Sequence, residues 1–227
     1  MSGREWSIER LDGVEVWTIL GEARRNALSR AMVRELLENL ARLRDDRSVR
    51  CVVVTGEGEK AFCAGADLKE RATMSAPEVD AFLVALRDSL RGIESAPQAF
   101  VAALNGAALG GGLEMALACD LRVAVEGAEM GLPEVGLGII PGAGGTVRLP
   151  RAIGVARAKE LILTGRRVGA AEALAMGLVS RVAPAGRLRE VALELAGLVA
   201  RNAPISIRQA KRAVDGGLHL DLDAALA

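Results

Sequence analysis

Tyrosine is absent from the 227-residue chain, and histidine occurs once, as His219. That scarcity removes most histidine-based mechanisms before any motif is considered. Cysteine is also sparse. Cys51, Cys63 and Cys119 are an odd number, each in an apolar context, which argues against a disulfide framework and for a reducing cytoplasmic compartment. Charge of either sign is not in excess: 29 Lys and Arg stand against 29 Asp and Glu, leaving no broad basic field for nucleic acid or an acidic membrane. No apolar run reaches the roughly 18 residues of a membrane span. The opening stretch MSGREWSIERLDGVEVWTIL is charged early and alternates, so it reads as a strand and not as a signal peptide. Low-complexity segments and solenoid-period repeats are missing too.

What is present is a globular composition, 51% hydrophobic and 26% charged, in a length that suits one large domain or one domain with a small appendage. GVEVWTIL, residues 13–20, alternates like a half-buried strand. Ser29 is placed to cap a helix carrying Met32, Val33, Leu36, Leu37, Leu40 and Leu43 at helical spacing. VRCVVVTG and QAFVAALNG are short, nearly all-apolar runs that suit buried strands. SAPEVDAFLVALRDSLRGIES is an amphipathic helix with Pro77 in its first turn. The stretch from Asp120 to Gly154 mixes short strands with glycine and proline turns. Beyond it VARAKELILTG, GAAEALAMGLV, RLREVALELAGLVARNAP and PISIRQAKRAVDGG all read as helices. Strand and helix alternate and then give way to helices, which predicts an α/β core with a helical C-terminal extension.

Two stretches carry chemistry. In AFCAGADL the small residues Ala64, Gly65 and Ala66 follow a strand and precede a helix, where backbone N–H groups can approach a ligand closely. In NGAALGGGLEMALACD the run Gly110–Gly112 sits in the same position, although glycine costs roughly 1 kcal/mol in a helix interior. Two such loops can each give one N–H to a single oxygen, the composition of an oxyanion hole. No Gly-Lys-Ser/Thr follows either, so neither is a phosphate-binding P-loop. Glu114 lies in the first turn after the glycines, where the helix dipole favours its charged form. Glu134, in MGLPEVGLGII, is set among apolar residues where burial would favour its neutral form. Opposed environments of that kind make an acid and a base from two identical side chains. Taken singly, each loop is equally a tight connection, and each glutamate reads better as a helix-start or surface residue; flanked together by two such loops, the pair reads as catalytic. GIIPGAGGTVRLPRAIG adds a third glycine cluster with the turn Pro141-Gly142, read as a packed corner beside Glu134. Cys63 has no histidine or lysine partner and reads as packing. His219 reads as a surface or interface residue.

AFCAGADLKE, NGAALGGGLEMALACDLRVA, GLPEVGLGIIPGAGGTVRLPRAIG and AKELILTGRRVGAAEALAMGLVSRV, in that order between Asn26 and about Val182, resemble the enoyl-CoA hydratase/isomerase (crotonase) superfamily. The resemblance implies an α/β spiral of β-β-α units over residues 1–182, with a helical C-terminal trimerisation region over 183–227. It implies an acyl-CoA substrate, a homotrimer or a hexamer of paired trimers, and no metal or separate cofactor, since CoA belongs to the substrate. Carried over by motif, the oxyanion donors are the amides of Ala64 and Gly111, and Glu114 and Glu134 match the two glutamates of the hydratases. Ala64, Gly65, Ala66, Asp67 and Leu68 resemble the CoA-contacting loop, with the backbone near Ala27 at the adenine end and Gly111, Pro141 and Gly142 completing the substrate contacts. Keeping both glutamates favours reversible hydration of a 2-enoyl-CoA.

AFCAGADLKERATM is most similar to the hydratases of leucine breakdown that act on 3-methylglutaconyl-CoA, a substrate with a second carboxylate. Lys69 and Arg71 are the nearest cations in sequence for it, although a solvated helix face is the preferred reading of both. Leu132 and Met130 depart from the family pattern, with a bearing on acyl-chain preference. Relatives usually continue past LHLDLDAALA, so the C-terminal region is expected to be truncated. The competing readings are a general short-chain hydratase, a 3,2-enoyl-CoA isomerase, which needs one working glutamate, and an RNA-binding homologue. The last is disfavoured by zero net charge and by basic residues interleaved with acidic ones.

Overall fold

Asp12 and Gly13 fold the N-terminal stretch back on itself. Both have positive φ, 37° and 80°, as an Asp-Gly hairpin turn requires. The stretch read as one strand is therefore two, β1 (Trp6–Leu11) and β2 (Val14–Ile19), paired antiparallel from Trp6↔Ile19 to Leu11↔Val14. The computed structural model describes residues 3–218 and 220–226; His219 lies outside them.

The chain continues through α1 (Arg30–Asp45), β3 (Cys51–Gly56), β4 (Ala61–Cys63), α2 (Leu68–Arg71), α3 (Ala76–Ser95), β5 (Ala99–Leu104), β6 (Ala107–Leu109) and α4 (Gly111–Ala118). After β7 (Leu121–Val125) and β8 (Glu129–Gly131) comes a 3₁₀ turn, Pro133–Leu137. Then follow α5 (Gly145–Ile153), α6 (Val155–Thr164), β9 (Val168–Gly169), α7 (Ala170–Ala175), β10 (Arg181–Ala183), α8 (Leu188–Ala200), α9 (Pro204–Gly217) and α10 (Leu222–Leu226). A six-stranded sheet runs β1-β2-β3-β5-β7-β10 and a four-stranded sheet β4-β6-β8-β9. In β3/β4, β5/β6 and β7/β8 the first strand joins the large sheet and the second the small one, and a helical segment follows each pair. This is the expected α/β spiral of β-β-α units. The expected division at 182/183 falls inside β10, and α8 packs on the large sheet through Ala192 and Ala196.

Sequence and structure agree closely at α1. Ser29 Oγ accepts from Met32 N at 3.1 Å, and Met32, Val33, Leu36, Leu40 and Leu43 are buried. The few aromatics are concentrated in the core, where Trp17 meets Trp6 and Phe100 edge-on at centroid distances of 6.2 and 5.7 Å. The mixed stretch 120–154 contains a helix that the sequence reading did not find. α5 starts after Gly144 and has Pro150 inside it, two features that argue against a helix when read locally. α9 buries no whole residue but is anchored by Lys211, whose Nζ donates to Asp120 Oδ2 at 2.9 Å and to the carbonyls of Ile93 and Gln98 at 3.2 Å. Burial raises the proton affinity of Asp120, and Lys211 opposes that. Among the described residues no helix is long and apolar enough to cross a membrane.

Candidate active site

β4 and β6 run parallel, Cys63 beside Ala108, so the loops that leave their C-terminal ends lie side by side. The first is Ala64–Ala66 and the second leads through Gly110 into α4. The glycine run has local causes. A methyl at Gly112 would lie 2.0 Å from Cys63 O, so only glycine lets α4 start directly against the β4 backbone. Gly110 sits at φ 51°, ψ −125°, outside the usual range of other residues, and a methyl there would lie 3.0 Å from Glu134 Oε1.

These loops open onto a cavity of about 1160 Å³. Its wall includes Ala64, Gly65, Ala66, Leu68, Gly111, Glu114, Glu134, Pro141 and Gly142. Ala27 and Asp67 are not on it. Ala27 is buried behind the loop with its N–H on Arg24 O at 3.3 Å, and Asp67 Oδ1 caps α2 by accepting from Lys69 N and Glu70 N at 3.0 and 3.1 Å. The cavity thus takes in the other positions that the resemblance gives to the substrate, and not these two.

The oxyanion pair also needs correction. The N–H of Ala64 is already engaged, donating to Arg25 O at 3.1 Å. Two residues on, Leu28 N donates to Gly65 O and Asp67 N to Leu28 O, a ladder that passes over the Ala66 amide. Ala66 N–H makes no hydrogen bond among the described residues. Gly111 carries the first amide of α4, which has no intrahelical acceptor. The two amides are neighbours: a methyl on Gly111 would stand 3.8 Å from Ala66 N. The free pair on the cavity wall is thus Ala66 and Gly111, at a helix N-terminus that favours negative charge.

Glu114 is 2% exposed. Its Oε1 accepts from Ala143 N at 2.8 Å and Gly145 N at 2.7 Å. Burial raises its proton affinity, while those two amides and the nearby Arg148 and Arg87 oppose the rise. Glu134, 9% exposed in the 3₁₀ turn, is pushed up to about 7, first by burial and further by the charge of Glu114. Its Oε2 is buried with no hydrogen-bond partner. The expectation of opposite shifts therefore fails, because burial outweighs the helix dipole at Glu114. The two carboxyls still differ: Glu114 has two loop amides and two nearby cations that favour its charge, whereas Glu134 has only its own backbone N–H and no cation among the causes of its shift. One ionised and one protonated carboxyl on a single wall can take a proton at one point and deliver one at another.

Other residues on this wall escaped the sequence reading. Arg87, Arg91 and Glu94 of α3 and Arg148 of α5 all line the cavity. Arg71 lines it as well, whereas Lys69 does not. The i, i+4 spacing of Arg87 and Arg91 was the available signal, obscured by a helix that carries charge on several faces. Met130 and Leu132 are fully buried and absent from the wall; Leu132 packs where a methyl on Gly145 would lie, beneath the loop that holds Glu114. All three cysteines are buried free thiols pushed up to about 12 by burial, Cys63 included, which makes them packing residues.

Comparison with known proteins adds three findings. The enoyl-CoA hydratase/isomerase family pattern matches residues 9–227. The Bacillus subtilis protein YngF is 52% identical over 202 residues, covering 89% of this chain and 78% of its own length; human mitochondrial methylglutaconyl-CoA hydratase is 45% identical over 207 residues, covering 89% and 61%. The crystal structure of enoyl-CoA hydratase from Bacillus anthracis superposes with a TM-score of 0.97 at 48% identity, over 98% of this chain and 87% of that one.

Proposed function

The chain belongs to the enoyl-CoA hydratase/isomerase family, and on that premise we propose that it is a hydro-lyase that adds water reversibly to a 2-enoyl-CoA. The thioester oxygen accepts from the amides of Ala66 and Gly111, which stabilise the enolate as it develops; one such donor is typically worth about 2.7–4 kcal/mol. Glu114, the more readily ionised carboxyl, takes a proton from the water whose oxygen bonds to C3. Glu134 delivers its proton to C2 as the enolate collapses, and dehydration reverses both transfers. The two titrate as a coupled pair. The observation that supports this reading above the rest is the meeting of two unlike carboxyls and two free amides on one cavity wall. The substrate here is an acyl-CoA and the assembly a homotrimer or hexamer, with the exposed Leu163, Ile205 and Val214 as apolar surface for copies to cover.

The finer reading is a substrate with a second carboxylate, 3-methylglutaconyl-CoA. Two observations support it: Arg87, whose charge acts on Glu114, lines the cavity, and so does Arg91, which has no hydrogen-bond partner among the described residues. Steady-state hydration of crotonyl-CoA and 3-methylglutaconyl-CoA tests both levels. A charged hydrogen bond is worth about 1.5–3 kcal/mol, so kcat/KM is expected to favour the dicarboxylate about tenfold or more, with Arg91→Met erasing the preference. Equal or faster hydration of crotonyl-CoA makes the chain a general short-chain hydratase. Hydration of neither by a folded protein overturns the proposed activity.

A further inference from the structure

Arg148 stands in the first turn of α5 with 14% of its side chain exposed. Its guanidinium is held in two directions. Nη2 and Nε donate to the two carboxylate oxygens of Glu94 at 2.8 and 3.4 Å, a forked pair that ties α5 to α3. Nη1 donates to Ala143 O at 2.9 Å. The N–H of the same alanine donates to Glu114 Oε1 at 2.8 Å, so Ala143 joins the arginine to the carboxyl through its own backbone groups. Gly144 is shaped around that guanidinium: its φ is 110°, and a methyl there would lie 2.2 Å from Arg148 Nη1.

Resting on the proposed hydration, we infer that Arg148, held by Glu94, is a positioning residue that sets the loop amides of Ala143 and Gly145 and thereby the pose of Glu114 toward water. Neither Arg148 nor Glu94 is a catalytic residue here; each acts through the loop. The charged groups that face Glu114 are Arg148 from α5, Arg87 from α3 and Glu134 from the 3₁₀ turn. Arg148 supports the ionised carboxylate and Glu134 opposes it. A brace that only held the fold would alter stability and leave the titration of Glu114 where it is.

The experiment compares wild type with Arg148→Met, Arg148→Lys and Glu94→Gln, reading kcat, KM, the pH profile of kcat and the melting temperature. Displacement of a reacting group by about 1 Å can cost about 10²-fold, so Arg148→Met is expected to lower kcat by about that factor with KM little changed. The acidic limb of the profile moves to higher pH, because Glu114 loses a cation that favoured its charge. Arg148→Lys returns the limb toward its wild-type position. It recovers kcat only in part, since an ammonium lacks the fork that meets Glu94 and Ala143 O together. Glu94→Gln, which keeps the arginine in place with a weaker anchor, falls between wild type and Arg148→Met, and it decides the matter if the methionine variant does not fold. Unchanged kcat and limb in a folded Arg148→Met or Glu94→Gln variant overturn the inference, as does a loss confined to KM. NMR titration of ¹³C-labelled glutamate carboxyls follows Glu114 without turnover. An unmoved Glu114 in Arg148→Met therefore sinks this inference even if the hydratase reading stands, and a wild type inactive on enoyl-CoA sinks the hydratase reading alone.

Discussion

Replacing Glu114 with glutamine is expected to lower kcat for hydration by about 10²–10⁴, the usual contribution of a positioned general base. The substitution isolates the charge. The amide oxygen of glutamine still accepts from Ala143 N and Gly145 N, so the loop and the cavity wall stay in place. Folding raises the proton affinity of Glu114, so its ionised form weakens the fold as pH rises through the ordinary carboxyl range toward the raised value. At neutral pH the glutamine variant is therefore expected to melt no lower than wild type while losing nearly all turnover. The same reasoning applies to Glu134→Gln. Glu134 titrates near 7 and acts protonated, so wild-type hydration declines on the basic side as pH rises through about that value. Steady-state kinetics beside thermal melts check both changes. Near-wild-type hydration by either glutamine variant removes that residue from the proton transfers.

Gly112→Ala is expected to damage both fold and activity. The new methyl would sit 2.0 Å from Cys63 O and 2.8 Å from Cys63 C, both backbone atoms of a buried strand with no flexible end to yield. Overpacking ordinarily costs 1–3 kcal/mol and occasionally more; a backbone clash this close should cost about 3 kcal/mol or more. In a chain of this length that corresponds to a fall of about 6–12 °C in melting temperature. α4 can relieve the clash only by lifting its N-terminus, which carries the Gly111 amide away from Ala66, so kcat/KM should fall by about 10²-fold as well. Gly197→Ala in α8 is the control. Nothing lies within 4 Å of its added methyl, and the change should be neutral or stabilising by up to about 1 kcal/mol. An active Gly112→Ala variant that melts with wild type contradicts the packing described for this loop.

The parts of the site that could be read from sequence are those whose chemistry is local. Gly111, Glu114 and Glu134 are recognisable because a glycine run at a helix start and a glutamate among apolar residues are unusual wherever they occur. The choice between Ala64 and Ala66 is not local. It depends on Arg25, a residue distant in the chain whose carbonyl takes the Ala64 N–H and leaves the amide two positions on unengaged. The opposite shifts expected for the two glutamates fail for a related reason: the dipole at a helix start is visible in sequence, and the depth at which that helix is buried is not. Lys69 stays on the solvated helix face preferred for it, Arg71 lines the cavity against that preference, and Arg87 and Arg91 reach the cavity because α3 turns that face inward. At the level of fold, the α1 stripe and the buried strands β3 and β5 were plain from periodicity. The Asp12-Gly13 hairpin carried its signal unread, and α5 was concealed by Gly144 and Pro150.

A crystal structure with a non-hydrolysable enoyl-CoA analogue measures directly where the thioester oxygen sits. The expected result is one oxygen within about 2.7–3.1 Å of both Ala66 N and Gly111 N, with Glu114 and Glu134 on either side of the C2–C3 bond. An oxygen bound at Ala64 N, or held away from Gly111, or an acyl group lying outside the space between the two carboxyls, contradicts it.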